Sequence, residues 1–413
     1  MRTDVHPGRA FRGLWAATAS ANLADGVALF ALPLLALAVG ASPGGVAAVT
    51  IALTLAWPVF GLHAGWIVDQ VGRRSLLVSV NVVRAGVLLA LTLAYASDRV
   101  SLGLVLVAAL VLGVAETLVD TALTSTIPQV VAPEDRSRAN GRIEATINLT
   151  NQMAGPPLAG ALAGVTLAAA TGVSALLYAT TLVGLGAVRL RRQPQPDSGP
   201  RPTKGVGAGL RYLWRHPVLR SLTLFTAAMN VVWAAAVALL VVYAVRPGPL
   251  GLTAAQYGLM LTAMAVGGLA ASVAVEPLRR RLGVQALLVA DCVGTILLVA
   301  PVAVGATAWL VAAGAVVAGA GASIWRVLLA TIRQNLTPPD VLGRVYAASR
   351  VISWGVIPGG AALAGIVAEL WSVRTVFVAS TAVAIAVLVA FVGFAMRHDL
   401  SAALDSDQLS RGS

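Results

Sequence analysis

The sequence predicts an all-α membrane protein of twelve transmembrane helices arranged as two pseudo-symmetric six-helix bundles. Three observations predict it. Of 413 residues, 58% are hydrophobic and only 11% charged, whereas soluble domains run near a quarter charged. Twelve apolar runs follow one another, each near the roughly 20 residues that cross a hydrocarbon core about 30 Å thick. The gaps between these runs alternate between strongly basic and nearly uncharged.

The runs can be taken in order. The first, 14–39, follows Arg2, Arg9 and Arg12 and contains Asn22 and Asp25. The second and third, 46–66 and 75–96, flank "GWIVDQVGRRS" (Gly65–Ser75), and the third contains Arg84. The fourth, 101–126, contains Glu116 and Asp120 and precedes Arg136, Arg138 and Arg142. The fifth, 142–164, contains Asn148, Asn151 and Gln152, and the sixth, 168–189, leads into a long basic segment. The seventh, 218–245, contains Trp233; the eighth, 252–275, exits through Glu276 and Arg279–Arg281. The ninth, 284–305, holds Cys292. The tenth, 307–332, contains Trp325 and Arg326 and precedes Arg333 and Arg344. The eleventh, 345–368, contains Trp354, and the twelfth, 375–396, ends at Arg397. These are continuous runs rather than ten-residue alternating segments, so a β-barrel is not expected.

The net charge of +12 follows the topology. Basic residues crowd one set of gaps, while the alternate set carries little beyond Arg99, Arg246 and Arg374. This positive-inside asymmetry puts both termini in the cytoplasm and needs no nucleic-acid partner to explain it. No cleavable signal peptide is expected, because the first run is too long and lacks a small-residue cleavage site. Cys292 is the sole cysteine, so an intrachain disulfide is excluded. Arginine outnumbers lysine 28 to 1, with abundant Ala, Gly and Val; this composition hints at a high-GC bacterium and therefore a bacterial inner membrane.

The chain divides into an N-terminal bundle (1–190), a cytoplasmic linker with an interfacial segment (191–217), a C-terminal bundle (218–397) and a cytoplasmic tail (398–413). The linker begins rich in Pro and Gly and ends as a basic-aromatic stretch suited to a membrane surface. The halves repeat. The second span exits through Asp69 and Gly72-Arg73-Arg74, and the eighth through Glu276 and Arg279–Gly283, about 207 residues later. The fourth exits through Pro133-Glu134-Asp135, and the tenth through Pro338-Pro339-Asp340, about 205 residues later. Parallel repeats of this kind build secondary transporters with the substrate site between the halves.

"GWIVDQVGRRSLL" resembles the loop signature Gly-x-x-x-Asp-x-x-Gly-Arg-Arg of the major facilitator superfamily: Gly65, Asp69, Gly72, Arg73 and Arg74 match, and Gln70 departs where a basic residue is common. "NVVRAG" (Asn81–Gly86), "GLRYLWRHPVLR" (Gly209–Arg220) and "PPDVLGRV" (Pro338–Val345) resemble its branch of drug and siderophore exporters. The resemblance covers nearly the whole chain. It implies the major facilitator fold, export by alternating access, and proton antiport. The Arg that many proton antiporters carry in the fourth span is absent, since Leu106–Leu112 ahead of Gly113 holds no charge.

The resemblance also implies that Gly65, Asp69, Gly72, Arg73 and Arg74 form a cytoplasmic latch; the plainer reading is that the two arginines fix topology. "NQMAGPPLAG" (Asn151–Gly160) resembles the antiporter Gly-Pro motif, with "WGVIPGGA" (Trp354–Ala361) as its counterpart. Ionisable groups inside spans cost about 2.5–3.5 kcal/mol each on insertion scales and need a partner, water or a proton. At about 1.5 Å per residue, Asp25 lies roughly 17–20 Å deep, and Glu116 and Arg84 about 15 Å. Asp25, Glu116 and Asp120 are the proton-coupling candidates. Two alternatives stand beside them: a static Arg84–Glu116 pair, and Asp25 as a packing group beside Gly26 and Asn22. Asp120 and Arg326 occupy equivalent positions of the repeat and are candidates for a closing contact.

Asn22, Asn148, Asn151, Gln152, Trp233, Trp325, Arg326 and Trp354 are the candidate cavity and substrate residues, with packing as the competing role for each. His63 has no ligand cluster around it. A Walker A loop needs Gly-Lys-Ser/Thr, and Lys204 stands in "TKGVG". No His-Glu-x-x-His is present, and His and Cys are too few for a metal centre, so no catalytic residue, metal or cofactor is expected. The expected partners are a small-molecule substrate, protons and the lipid bilayer, with the chain a monomer. The expected function is secondary export of a small amphipathic molecule in exchange for protons. The alternative is a gradient-independent facilitator or flippase on the same fold.

Overall fold

The computed structural model describes residues 9–132, 135–186, 205–338, 341–398 and 400. The expected linker as far as Lys204, and the tail beyond Leu400, lie outside the described residues. The described residues are helical with no extended strand, and they form eleven helical segments long and apolar enough to cross a membrane, one of them, Leu342–Leu370, built from two consecutive helices. The chain forms two compact units: Met1–Ser198 with Leu252–Thr262, and Gly199–Gly251 with Ala263–Ser413.

The first unit contains α1 (Arg9–Ala38), α2 (Pro43–Val71), α3 (Arg73–Ala96), α4 (Leu102–Val130), α5 (Arg136–Ile147), α6 (Gly155–Val165) and α7 (Leu167–Gly186). Local chemistry sets their ends. Ser42 accepts a hydrogen bond from the Gly45 amide, with Pro43 in the first turn, and starts α2. Ser101 does the same for α4 through the Leu104 amide. Gly72 joins α2 to α3 at φ +83°, a left-handed conformation that glycine adopts without a Cβ penalty.

The fifth apolar run, expected as one span over 142–164, is broken. Helix α5 passes into a π-helical stretch, Asn148–Ala154, and then into α6, which is why the fifth run is missing from the eleven candidate spans. Pro156 and Pro157 have no N–H to give to the carbonyls one turn back, so a regular ladder cannot continue through them. The break lies against α1. A Cβ on Gly155 would stand 2.7 Å from the Gly26 Cα, and a Cβ on Gly26 would stand 3.0 Å from the Asn151 Cα. Glycine at both positions lets the two backbones touch.

The second unit contains α8 (Gly205–Arg215), α9 (Pro217–Ala244), most of α10 (Ala254–Leu282), α11 (Val284–Ala303), α12 (Ala308–Asn335), α13 (Leu342–Gly355), α14 (Ile357–Leu370) and α15 (Val373–Ala395). Gly283, at φ +80°, turns α10 into α11 as Gly72 turns α2 into α3. Lipid is as apolar as leucine, so membrane helices gain little from apolar burial and associate through close packing and hydrogen bonds. The second unit does both. A Cβ on Gly294 of α11 would stand 3.0 Å from the Val317 carbonyl oxygen of α12, and one on Gly360 of α14 would stand 3.0 Å from the Ala234 Cβ of α9.

Gly26→Ala is expected to lower the melting temperature of the detergent-solubilised protein, because the added methyl meets backbone and overpacking costs about 1–3 kcal/mol. Gly86→Ala, at an exposed helical site with nothing within 4 Å, should leave it unchanged or raise it. Thermal size-exclusion profiles of the two variants check the contrast.

Candidate functional site

The first unit buries a charged node. Asp25 of α1 is 7% exposed and Arg84 of α3 is fully buried. Arg84 Nη1 lies 3.3 Å from Asp25 Oδ1 and 3.4 Å from Oδ2. The hydroxyl of Tyr178, fully buried in α7, donates a short hydrogen bond to Asp25 Oδ1. The Arg84 guanidinium also lies 5.3 Å from the centre of the Tyr178 ring. Hydroxyl bonds hold α7 to both neighbours: Ser174 Oγ donates to the Ala24 carbonyl at 2.7 Å, and Thr171 and Thr92 share a hydrogen bond of 2.8 Å.

The node pairs Arg84 with Asp25 and not with Glu116, as the static alternative had it. Arg84 is drawn to Asp25 because α3 packs chiefly on α7, and the long side chain passes beside Tyr178 to reach α1. Glu116 of α4 is half-buried. It makes no hydrogen bond or ion pair among the described residues, although Asp25, Arg84 and Asp120 all act on it electrostatically. Two groups on Arg84, Nε and Nη2, are buried without a hydrogen-bond partner, as is Oδ1 of Asn81 on the same helix. The guanidinium therefore has donors to spare.

Magnitudes decide how firmly the node is held. Two unit charges about 3.3 Å apart attract by about 5 kcal/mol at an effective dielectric near 20. Inserting the two ions separately costs about 5–7 kcal/mol on insertion scales. The pair is close to balance, and the Tyr178 hydrogen bond supplies the remainder. Removing either charge leaves the other buried alone.

The other anticipated residues are dispersed. Asn22 donates to the Thr18 carbonyl at 3.0 Å and Asn148 to the Glu144 carbonyl at 3.0 Å, each within its own helical run. Asn151 offers its backbone to Gly26, Gln152 is exposed and Trp233 is half-buried. Trp354 is exposed, with the Arg350 guanidinium 5.4 Å from its ring centre. Arg326 is exposed and donates to Ser323 Oγ at 3.1 Å. Trp325 departs from the expectation of an accessible flat surface. It is 3% exposed, donates to Thr226 Oγ1 at 3.0 Å and packs edge-on against Phe391, so the core of the second unit claims it.

In the anticipated latch, Gly72 provides the turn, and Arg74 Nε donates to the Leu185 carbonyl at 3.4 Å. A cation at the last turn of α7 meets the negative end of that helix. Arg73 is half-buried and has a contact of its own. The surroundings of Gly65 and the side chains of Asp69 and His63 lie outside the described residues.

Sequence reasoning missed Tyr178, since one aromatic hydroxyl among many apolar residues gives no signal without its partner. It also missed Asp291 of α11, which is 2% exposed. That residue gives the same signal as Asp25, an ionisable group inside an apolar run.

Residues 6–411 match the protein family described as transmembrane secretion effector. The multidrug efflux pump Tap of Mycobacterium bovis and of Mycobacterium tuberculosis is 30% identical over 219 residues, covering 50% of this chain and 51% of the relative. The chain thus spans about half the length of the curated relatives it matches. Among solved structures, the nucleoside transporter NupG superposes with a TM-score of 0.72 at 13% identity, over 92% of this chain and 98% of its own. An inward-facing, occupied bacterial homologue of the human lysosomal transporter Spinster gives 0.70 at 13%, over 95% and 97%. An inward-facing bacterial homologue of the iron transporter ferroportin gives 0.68 at 17%, over 93% and 98%. These structures share the fold with this chain.

Arg84→Gln should destabilise the protein by about 3–5 kcal/mol, the typical cost of stranding a buried charge. Adding Asp25→Asn to that variant should recover part of the loss, because the stranded carboxylate is gone. Thermal melts of the two single variants and the double variant measure the coupling.

Proposed function

We propose that this chain, which belongs to the transmembrane secretion effector family of the major facilitator superfamily, exports a small amphipathic molecule across a bacterial inner membrane in exchange for protons. It is a multi-pass membrane transporter, not an enzyme. The observation that carries the proton reading is the near-balanced node of Asp25, Arg84 and Tyr178, with Glu116 and Asp120 acting on the same guanidinium. Kinship with the multidrug efflux pump Tap over half the chain supports an exported substrate of drug, antibiotic or siderophore-like type.

Asp25 is the proton carrier in this reading. Charged, its carboxylate holds Arg84. A proton arriving from the periplasmic side neutralises it, and the guanidinium turns its unpartnered Nε and Nη2 toward Glu116 and Asp120. That exchange ties α3 to α4 in place of α1 and so alternates which helices move together. Both termini face the cytoplasm, which places Gly72, Arg73 and Arg74 on the cytoplasmic surface. There the Arg74 contact with the end of α7 is made in one state and broken in the other, and Gly65 and Asp69 complete the latch. No cofactor takes part, and a monomer suffices.

Everted vesicles loaded with a pH-sensitive dye test this with a panel of antibiotics and siderophores. The wild-type protein should give compound-dependent proton release; Asp25→Asn should abolish it, with Glu116→Gln and Asp120→Asn reducing it. If compounds move while no variant, wild type included, moves protons, the protein is a facilitator and Asp25–Arg84 is a static pair.

A further inference from the structure

The second unit buries a carboxyl of its own. Asp291 of α11 is 2% exposed, makes no hydrogen bond among the described residues, and has its Oδ1 buried without a partner. One turn further along the same helix, Thr295 is 1% exposed and its Oγ1 is likewise unpartnered. Helix α12 closes over them. A Cβ on Gly321 would stand 2.7 Å from the Asp291 Cα and 3.0 Å from its Oδ1, so glycine at 321 is what lets α12 seat directly on the carboxyl. Five residues along α12, the exposed Arg326 acts on Asp291 electrostatically while donating its hydrogen bond to Ser323.

Other charged and titratable groups on the surrounding helices are engaged elsewhere. Arg333 of α12 donates to Ser349, Arg374 of α15 to the Ala303 carbonyl, and Arg220 of α9 to the Trp214 carbonyl. Tyr243 of α9 packs on Phe377. Cys292 stands beside Asp291 on its own helix and is buried as a free thiol. Arg326 is therefore the cation that answers Asp291.

The repeat gives the cluster its meaning. Asp291 follows Arg84 by 207 residues and Arg326 follows Asp120 by 206, within the spacing that relates the two halves. The same two positions carry a charge of each sign in both units, but exchanged: Arg on α3 and Asp on α4, then Asp on α11 and Arg on α12. A bare carboxylate in an apolar helix interface costs about 2.5–3.5 kcal/mol. Two things remove that cost, a bound proton or an approaching guanidinium, and Arg326 at the exposed edge of the cluster is placed to supply the second.

We propose that Asp291, with Thr295 and Arg326, forms a second protonation site in which a proton and the Arg326 guanidinium compete for the Asp291 carboxylate. The proton sits on the carboxyl while Arg326 is held by Ser323, and it leaves as Arg326 swings onto the carboxylate; Thr295 supplies a hydrogen bond to the charged form. The site rests on the proton-antiport reading only for its use, as a second proton carried per cycle; its existence is independent of that reading.

The experiment has two arms on the full-length protein. In lipid nanodiscs, N,N′-dicyclohexylcarbodiimide, which modifies protonated carboxyls in apolar surroundings, is applied across a pH series and the modification at Asp291 is read by peptide mass spectrometry. Asp291 should be modified at low pH and protected as pH rises, and Arg326→Gln should shift that protection to higher pH. An Asp291 left unmodified at every pH, or a protection curve that Arg326→Gln leaves in place, overturns the proposal. In everted vesicles, Asp291→Asn should release about half the protons per transported molecule that wild type does, one of the two carried under the antiport scheme. An unchanged ratio beside a proton-moving wild type overturns the second-proton role. A wild type that moves no protons sinks the antiport reading alone, and the labelling arm then decides the site by itself.

Discussion

An ion inside a membrane helix must be answered by another polar group, and much of the first unit is arranged around one such answer. Arg84 is fully buried, and burial of a charge is costly. Its charge has to reach a carboxylate through the helices available, and it reaches Asp25. Meeting that requirement fixes which face of α3 points inward and which turn of α1 stands beside it. It also explains a tyrosine at 178, whose ring lies against the guanidinium and whose hydroxyl satisfies the carboxylate. The hydroxyl bonds from Ser174 and Thr171 then set α7 at the height where Tyr178 can do both.

The second constraint is proximity. Helices bonded only by side chains of ordinary length would hold their axes too far apart for a short residue such as Asp25 to be shielded. Glycine shortens the distance. Gly26 adjoins Asp25 in sequence and lies against Gly155, so a direct backbone approach of α1 to α6 falls one residue from the charged node. The π-helical stretch ahead of Pro156 is the local deformation that brings the Asn151 backbone to that spot. A helix already released from its regular ladder bends at lower cost than an intact one. The junction beside the ion pair is thus also the place where the fifth run can most easily change shape.

The fold was legible because hydrocarbon thickness sets run length, and run length survives in sequence without any contact information. The break in the fifth run was half legible: Pro156 and Pro157 announced it, but the seven-residue π stretch depends on how α1 packs there. For the site, counting residues along a helix gives depth but not the angle around the axis. Depth puts Asp25, Arg84 and Glu116 at similar levels, which singles them out as candidates but leaves open which carboxylate Arg84 meets. Which carboxylate wins depends on α7 lying next to α3, a matter of tertiary packing. Trp325 was misplaced for the same reason, since its position in α12 fixes its height while Thr226 and Phe391 claim its face.

The near balance of the node bears on how such a protein can have two states at all. A strongly favourable buried pair would lock its helices together, and a strongly unfavourable one would not form. Where the attraction of about 5 kcal/mol nearly equals the cost of burial, the remaining difference is of the size of one hydrogen bond or one proton. Small inputs then suffice to redistribute the protein between arrangements, because a ligand shifts an equilibrium only by its differential affinity for the two states. Asp291 lies on the other side of the same balance: buried like Asp25, but with its arginine held at Ser323 instead of on the carboxylate. Each unit therefore buries one acid inside an apolar helix, Asp25 with Arg84 in contact and Asp291 with Arg326 bonded to Ser323. In the proposed cycle, the step that frees Arg84 from Asp25 has its counterpart in the step that brings Arg326 to Asp291.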